Sequence, residues 1–459
     1  MIRVVRDGFW ACALALAGLE LWLQCFRIRA WEQAGYRILL LGIIAVGLAL
    51  LPWPTTTPPS PEPRRLKWLA IIGSAVLLWD AAAGVIAIKH TIETHDIRMD
   101  QGQSTLKAAQ GLWHGENPYG EGALLDPFGY MSRLSLRIAA GVGPRDVGPE
   151  VEPMLWRYWG THEPELRARL LPMPPPGAGA AARREVSILG YKYGPVPLLA
   201  TAAMAPALGP LAVTATNVIL TFALYALIWL ILRDSALPLE FRWLAFIAVL
   251  ADHFPVWYYM HFSDSDVWPL VFCALAVLAL LRGWQWTLGV ALGLALACKL
   301  FPSALYLPLV LMARSWRAGL ACAAVALVLF VPFAVWDPEG FAGNFFLWAW
   351  FMLPDVTSWV SRVPPGLGWA VRLALAAIVI ALYWRLLRGR DEPPFRAIAL
   401  VNVAVVAAGT VIHNNYVPWF SIWAALAVAA SFAPSAARAW VVANSGYGER
   451  RPGTYTAAP

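Results

Sequence analysis

Charge is scarce in this sequence. Only 14% of its 459 residues are Asp, Glu, Lys or Arg, and 59% are hydrophobic; an ordinary soluble domain carries about 25% charged residues. That balance excludes a soluble enzyme, a disordered protein and a secreted disulfide scaffold. Cysteine is also scarce: Cys12, Cys25, Cys273, Cys298 and Cys322 sit in or at the ends of apolar runs. Their spacing matches neither a disulfide framework nor a zinc motif, so they read as small packing residues. No glycine-rich phosphate loop follows a strand-like run, which excludes a nucleotide-binding sheet. No internal repeat is visible, which counts against inverted-repeat transporter folds. The short alternating segments of a transmembrane barrel are lacking too. No A-x-A-like cleavage site follows the first apolar run, residues 8–26, so this run is expected to be a retained span rather than a signal peptide.

What the sequence has in abundance is continuous apolar runs of the length that crosses a bilayer, roughly 20 residues each. Candidate spans cover 8–26, 36–52, 66–88, 193–208, 211–232, 243–260, 267–282, 286–312 (with a possible break near Lys299), 318–336, 341–353, 366–387, 396–412 and 416–433. The expected fold is an all-α polytopic membrane protein with about 12–13 transmembrane helices. Its parts would be three N-terminal helices over 1–88, one large extracytoplasmic loop over 89–192, the remaining helices over 193–433, and a polar tail over 434–459. Within the loop, 101–114 predicts a helix, Asn117–Gly120 a turn, and the Pro/Gly/Ala-rich 171–184 an excursion.

The net charge of +7 would suggest nucleic acid in a soluble protein. In a membrane protein it marks cytoplasmic loops instead, and no nucleic-acid partner is expected. The loop 89–192 holds 12 of the 28 acidic residues and 12 basic ones, so the whole excess lies elsewhere. Arg64, Arg65, Lys67, Arg282, Arg314, Arg317, Arg388, Arg390 and Arg396 therefore orient the chain, leaving the large loop and the loops around 252–266, 337–362 and 413–416 on the far side. One conflict follows: strict alternation puts Arg233 and Arg242 on that side as well. Either 193–210 is a half-span or the count of crossings is off by one there.

Ionisable groups at or near membrane depth mark function by default. Four places carry them. Glu93, Asp96 and Asp100, with His90 and His95, follow the third span; a carboxylate there can act as general base, or the stretch is a solvated loop start. His253, His261, Asp264 and Asp266 match no closed metal motif and read as a second carboxylate patch lining the same cavity. Lys299 sits in an apolar stretch; it either meets a phosphate or ends its helix and reaches the interface. His413, Asn414, Asn415 and Tyr416 bring hydrogen-bonding groups between two spans, where they either serve a site or form a short polar turn. Most of the 25 Trp are interfacial anchors or packing.

In order, these pieces resemble the GT-C membrane glycosyltransferases, and most closely family 87, the polyprenyl-phosphate-mannose-dependent α-mannosyltransferases. Asp100 followed by Thr105–Tyr119 is similar to the family's acid and "A-A…G-x-x-P-Y" loop. Tyr191–Pro195 is similar to its "Y-x-Y-x-P" element. Ser263-Asp264-Ser265-Asp266 occupies the place of "G-Q-x-D/N", with Ser-Asp replacing Gly-Gln. Gly289–Pro302 resembles "G-x-x-x-G-L-A…K-x-x-P", and Asn415–Trp419 a late "Q-Y-x-x-W". The likeness covers roughly 90–430.

The resemblance implies inverting transfer of a sugar, most simply mannose, from a polyprenyl phosphate to a membrane lipid or glycan acceptor at the outer face. Asp100 is then the base, with Asp96 as second choice. Lys299, His413 and Asn415 would bind the departing phosphate, where negative charge develops. Tyr119, Tyr193, His261, Asp264, Asp266 and Tyr416 would line the substrate cavity. No cofactor is required by this scheme; a divalent cation stays open, and the sequence assigns no oligomeric state. Three alternatives stand beside it: a transporter or lipid flippase, a GT-C enzyme using another polyprenyl-phosphate sugar such as arabinose or glucose, and a non-catalytic assembly partner.

Overall fold

The computed structural model describes residues 63–97, 100–119, 191, 193–235, 237–252, 254–342, 345 and 418–431, with scattered residues between 370 and 402. The expected spans at 8–26 and 36–52, the excursion 171–184, the tail 434–459, and His253 and 413–416 lie outside the described residues. Among the described residues there is helix and no strand. The helices are α1 (Pro63–Thr94), α2 (Asp100–Trp113), α3 (Pro195–Leu208), α4 (Leu211–Asp234), α5 (Leu239–Leu250), α6 (Val267–Leu281), α7 (Gln285–Cys298), α8 (Leu300–Ser303), α9 (Pro308–Ala313), α10 (Trp316–Trp336), α11 (Pro338–Phe341) and α12 (Pro418–Ser431). A π-helix, Pro255–His261, stands between α5 and α6.

Three of these, α1, α4 and α10, are long and apolar enough to cross a membrane. Their outer surfaces need one. On α1, Leu78 is 71% exposed and Trp79 74%; on α10, Val328 is 72% and Val335 75%. So many large apolar side chains facing water would drive aggregation; facing lipid they cost nothing. Exposed Trp316 and Trp336 bracket α10, and its 21 residues span roughly 30 Å, the thickness of a hydrocarbon core. Indoles at both ends place one at each interface. This is an all-α membrane protein.

Contacts fix which helix ends lie together. At one end, Asp234 accepts from Arg282 Nε at 2.5 Å and from Arg233 Nε at 3.0 Å. Arg242 donates to the Leu237 carbonyl, and Ser315 Oγ donates to Gln285 Oε1 at 2.8 Å. The starts of α5, α7 and α10 and the ends of α4 and α6 therefore share one basic end. At the other end, Thr91 of α1 meets Thr214 of α4 at 3.0 Å, and Thr214 meets Ser263 at 2.9 Å.

These contacts resolve the conflict over Arg233 and Arg242. Gly194, which caps α3, donates its N–H to the Cys298 carbonyl at 2.7 Å, at the end of α7 away from the basic cluster. The far end of α3 runs through Gly209 and Pro210 straight into the start of α4, which is also away from that cluster. Both ends of α3 therefore lie on the side away from the cluster. So α3 returns to the side it left, and the half-span alternative is the correct one. Arg233 and Arg242 join Arg282.

Two boundaries differ from the sequence reading, and a break that it allowed for is present. The expected span 243–260 ends at Leu250 and restarts as the π-helix, so much of 252–266 is helical rather than loop. The run 286–312 is broken at Lys299, whose backbone is extended (φ −158°, ψ 113°). Helix α1 continues through Thr94, which puts His90 and Glu93 on a helix; Glu93 pairs with Lys89 one turn earlier at 3.6 Å.

The core lies where α4, α6 and α7 meet, around Leu224, Ile228, Cys273, Ala274 and Leu292, each nearly inaccessible. α7 and α10 approach through Gly289 and Gly293 against Ala318, Ala321 and Cys322. Small residues suit lipid-embedded packing, where close backbone contact replaces the hydrophobic drive. Cys273, Cys298 and Cys322 are buried and unbridged, as packing residues should be.

Candidate active site

Four residues, Ser263–Asp266, form the hub of the end opposite the arginines. They link the π-helix to α6, and Ser263 adopts a left-handed backbone (φ +60°), which turns the chain sharply there. Ser263, Asp264, Ser265 and Asp266 are all buried, both carboxylates completely. Buried polar groups need partners, and the loop's come from several directions. The Asp264 N–H donates to the Tyr258 carbonyl at 2.8 Å, and Asp264 Oδ1 accepts the Asp266 N–H at 2.9 Å. Asn217 of α4 donates Nδ2 to the Asp264 carbonyl at 2.9 Å while its Oδ1 accepts from Trp268 Nε1 at 3.0 Å.

Lys299 reaches this loop. Its ammonium is hydrogen-bonded to Asp266 Oδ1, with the lysine side chain 11% exposed and the aspartate 0%. The break between α7 and α8 aims the side chain there. The helix does end at Lys299, as one of the two readings expected, but the ammonium is one half of a buried ion pair.

The first turn of helix α2 packs against the same loop. A Cβ on Gly102 would lie 2.8 Å from the Ser263 carbonyl oxygen and 2.7 Å from Ile97, so the helix backbone rests directly on the loop, two residues after Asp100. One turn later, Thr105 Oγ1 is 3.5 Å from Ser265 Oγ and 3.3 Å from the Tyr191 hydroxyl. Asp100 opens α2; its side chain lies outside the described residues. Asp96 is exposed and its Oδ1 accepts from the Ile97 N–H and from Gln103 Nε2 at 2.8 and 3.2 Å. It caps the approach to α2.

The Tyr191–Pro195 segment completes the junction. Gly194 touches the end of α7 so closely that a Cβ would sit 1.9 Å from the Ala297 carbonyl oxygen. Tyr119 donates its hydroxyl to the Tyr193 carbonyl at 2.7 Å, and the Tyr191 N–H donates to the Pro118 carbonyl at 3.0 Å. Burial pushes the Tyr119 phenol well above its usual range and Tyr191 above it too, with Thr105 partly opposing the rise at Tyr191. Both are neutral hydroxyls. His261 stands slightly apart, its ring 6.3 Å from His90 and 5.1 Å from Trp257.

Of the candidates from sequence, Lys299, Asp264 and Asp266 thus converge, with the backbone of α2 beside them and Tyr119 and Tyr193 in the adjoining aromatic cluster. His413, Asn415 and Tyr416 lie outside the described residues. Among the described residues no group of three or more His, Cys, Asp or Glu is placed to hold a metal ion. The sequence reading missed Thr105, Thr214, Asn217 and the two serines as partners, and it missed Asp80. That carboxyl is buried in the middle of α1, facing the Tyr225 hydroxyl of α4. Asn217 and Asp80 do carry a signal: each is a lone strongly polar residue in a long apolar run.

Residues 191–413 match the family model of glycosyltransferase family 87. The match includes Tyr191, Tyr193, Asp264, Asp266 and Lys299; α1 and α2 precede it. No curated protein and no solved structure matches the chain. A helical membrane protein whose polar hub is built from the stretch that matches this model is a membrane glycosyltransferase, similar to family 87 over residues 191–413.

Proposed function

We propose that the protein transfers a sugar, most simply mannose, from a polyprenyl-phosphate donor to a lipid or glycan acceptor, with inversion at the anomeric carbon. The supporting observation is the convergence on Ser263–Asp266 of three distant segments: the start of α2, the Tyr191–Gly194 stretch, and Lys299 at the helix break. In this reading the Asp100 carboxylate takes the proton of the acceptor hydroxyl, with Asp96 as the second choice. The hydroxyl oxygen attacks C1 as the C1–O bond to phosphate breaks. The leaving group departs as a polyprenyl phosphate monoester. Lys299, with His413 and Asn415, meets the charge that develops on it. The donor carries its own phosphate and lipid anchor, so the transfer needs no nucleotide.

The basic end of the bundle, with Arg233, Arg242, Arg282 and Arg314, would face the cytoplasm, and the Asp264–Lys299 end the opposite side. The four-residue loop 263–266 and Lys299 stand at helix ends, before α6 and after α7, which favours a transferase over a transporter with coupling charges at mid-membrane.

The test is transfer of radiolabel from polyprenyl-phosphate-mannose to membrane acceptors by the purified chain. Asp100→Asn is expected to abolish transfer and Lys299→Met to lower kcat by about 100-fold or more, as loss of a donor to developing charge does elsewhere. Normal rates in both Asp100→Asn and Asp96→Asn overturn the base assignment. Failure to consume any polyprenyl-phosphate sugar overturns the donor class. The charge-swapped Asp266→Lys/Lys299→Asp variant separates roles: a folded but inactive protein supports Lys299 at the phosphate, and restored activity means the pair is only structural.

A further inference from the structure

A concave region lies at the basic end, far from Lys299. The turn after α6 and the starts of α7 and α10 border an open surface hollow of about 650 Å³, lined by Gly283, Trp284, Gln285, Trp286, Thr287 and Arg317. Gly283 has a left-handed backbone (φ +68°), and a Cβ there would meet nothing within 4 Å, so the turn leaves the space open. The two arginines beside it differ. Arg282 is committed: it is bonded to Asp234 and lies over the Trp284 ring at 4.7 Å. Arg317 is exposed, with its guanidinium 5.9 Å from the Trp316 ring. Among the described residues no carboxylate lies within ion-pair distance of it.

Depth and continuity identify the occupant. Trp284, Trp286 and Trp316 are all about half exposed or more, and Trp316 marks the membrane boundary of α10. Leu320, Leu327 and Val331 are exposed on α10, three, ten and fourteen residues beyond Arg317. That spacing puts them on one face of the helix, so the guanidinium stands at the head of a lipid-facing apolar stripe. A cation at the interface, indoles and hydrogen-bonding side chains around it, and an apolar track leading into the bilayer match one ligand chemistry: a phosphodiester headgroup with acyl chains attached. We infer that this hollow binds an anionic membrane phospholipid, its headgroup phosphate against Arg317 and one chain along Leu320 and Leu327. Neutral zwitterionic lipid fits less well, because its ammonium brings a second cation into a region already rich in arginine.

The experiment titrates the purified full-length chain in detergent with dioctanoyl phosphatidylglycerol, dioctanoyl phosphatidylcholine and inorganic phosphate, reading tryptophan fluorescence and the thermal midpoint. Phosphatidylglycerol is expected to quench saturably and raise the midpoint, while the other two do neither at equal concentration. Arg317→Gln is expected to weaken phosphatidylglycerol about fivefold, the worth of one basic residue at an anionic lipid surface, and Arg317→Lys to keep most of the affinity. The lipid-free thermal midpoint of each variant reports whether it is folded. Equal binding of phosphatidylcholine removes the charge requirement, and an equal response to inorganic phosphate reduces the site to a simple anion site. Unchanged affinity in folded Arg317→Gln removes the residue. Each of these three outcomes overturns the inference.

Discussion

Gly194→Ala is the sharpest probe of how the site is held together. The added Cβ would start 1.9 Å from the Ala297 carbonyl oxygen, 2.5 Å from its carbon and 2.9 Å from the Cys298 carbon. Non-bonded heavy atoms are comfortable at about 3.5–4.0 Å, so the two segments must part by more than about 1 Å. Both clash partners are backbone, and no side chain can rotate to make room. The parting stretches the Gly194 N–H bond to Cys298, now 2.7 Å. It also displaces the residue that follows, Lys299, from Asp266. Overpacking of this kind costs about 1–3 kcal/mol of stability. A displacement of about 1 Å at a reacting centre lowers rates by about 100-fold. The assay pairs the thermal midpoint in detergent with transfer of labelled sugar. Gly319→Ala is the control: its Cβ would meet only Val310 Cγ1 at 3.7 Å, and neither measurement should fall. Full activity and an unchanged midpoint in Gly194→Ala would refute the close contact at the helix break and, with it, the geometry of the site.

Three further outcomes are expected. Thr105→Val removes the hydroxyl that stands between Ser265 and Tyr191; transfer should slow several-fold with a thermal loss of about 1 kcal/mol, whereas Thr105→Ser should retain most activity. Tyr119→Phe deletes the bond to the partly buried Tyr193 carbonyl, costing about 1 kcal/mol, read as a lower denaturation midpoint. Arg282→Gln breaks the partly buried pair with Asp234 at the opposite end; it should lower stability by about 1–2 kcal/mol and leave the transfer rate within about twofold of the parent.

Much of the architecture follows from hydropathy alone, because a residue facing lipid leaves a local mark. The runs that became α4, α6 and α10 are continuous and lie close to where the apolar pattern put them. The break at Lys299 was legible too, since a lysine followed by Phe-Pro interrupts an apolar helix in two ways at once. The return of α3 to its starting side was not legible. Nothing in Pro195–Leu208 differs from a short span; the answer lies in the hydrogen bond from Gly194 to Cys298, a hundred residues away. The π-helix escaped for the opposite reason: residues 243–260 read as one apolar stretch, and it divides at Asp252 and Pro255 within it. The site was half legible. Lys299 stood out as a charge in apolar surroundings and Asp266 as part of a carboxylate patch, but their union did not, because spacing along a chain carries no record of pairing through space.

The return of α3 also settles a matter of parity. A segment that leaves and re-enters on one side adds nothing to the tally of crossings, so whatever compartment receives the chain just before Tyr193 also receives Gly209 and Pro210. A reporter enzyme spliced between those two residues should therefore light up together with one placed ahead of Tyr193, and opposite to one placed at Ser235. Gene-fusion maps that count every apolar run as a traverse would misassign the polarity of all that lies downstream.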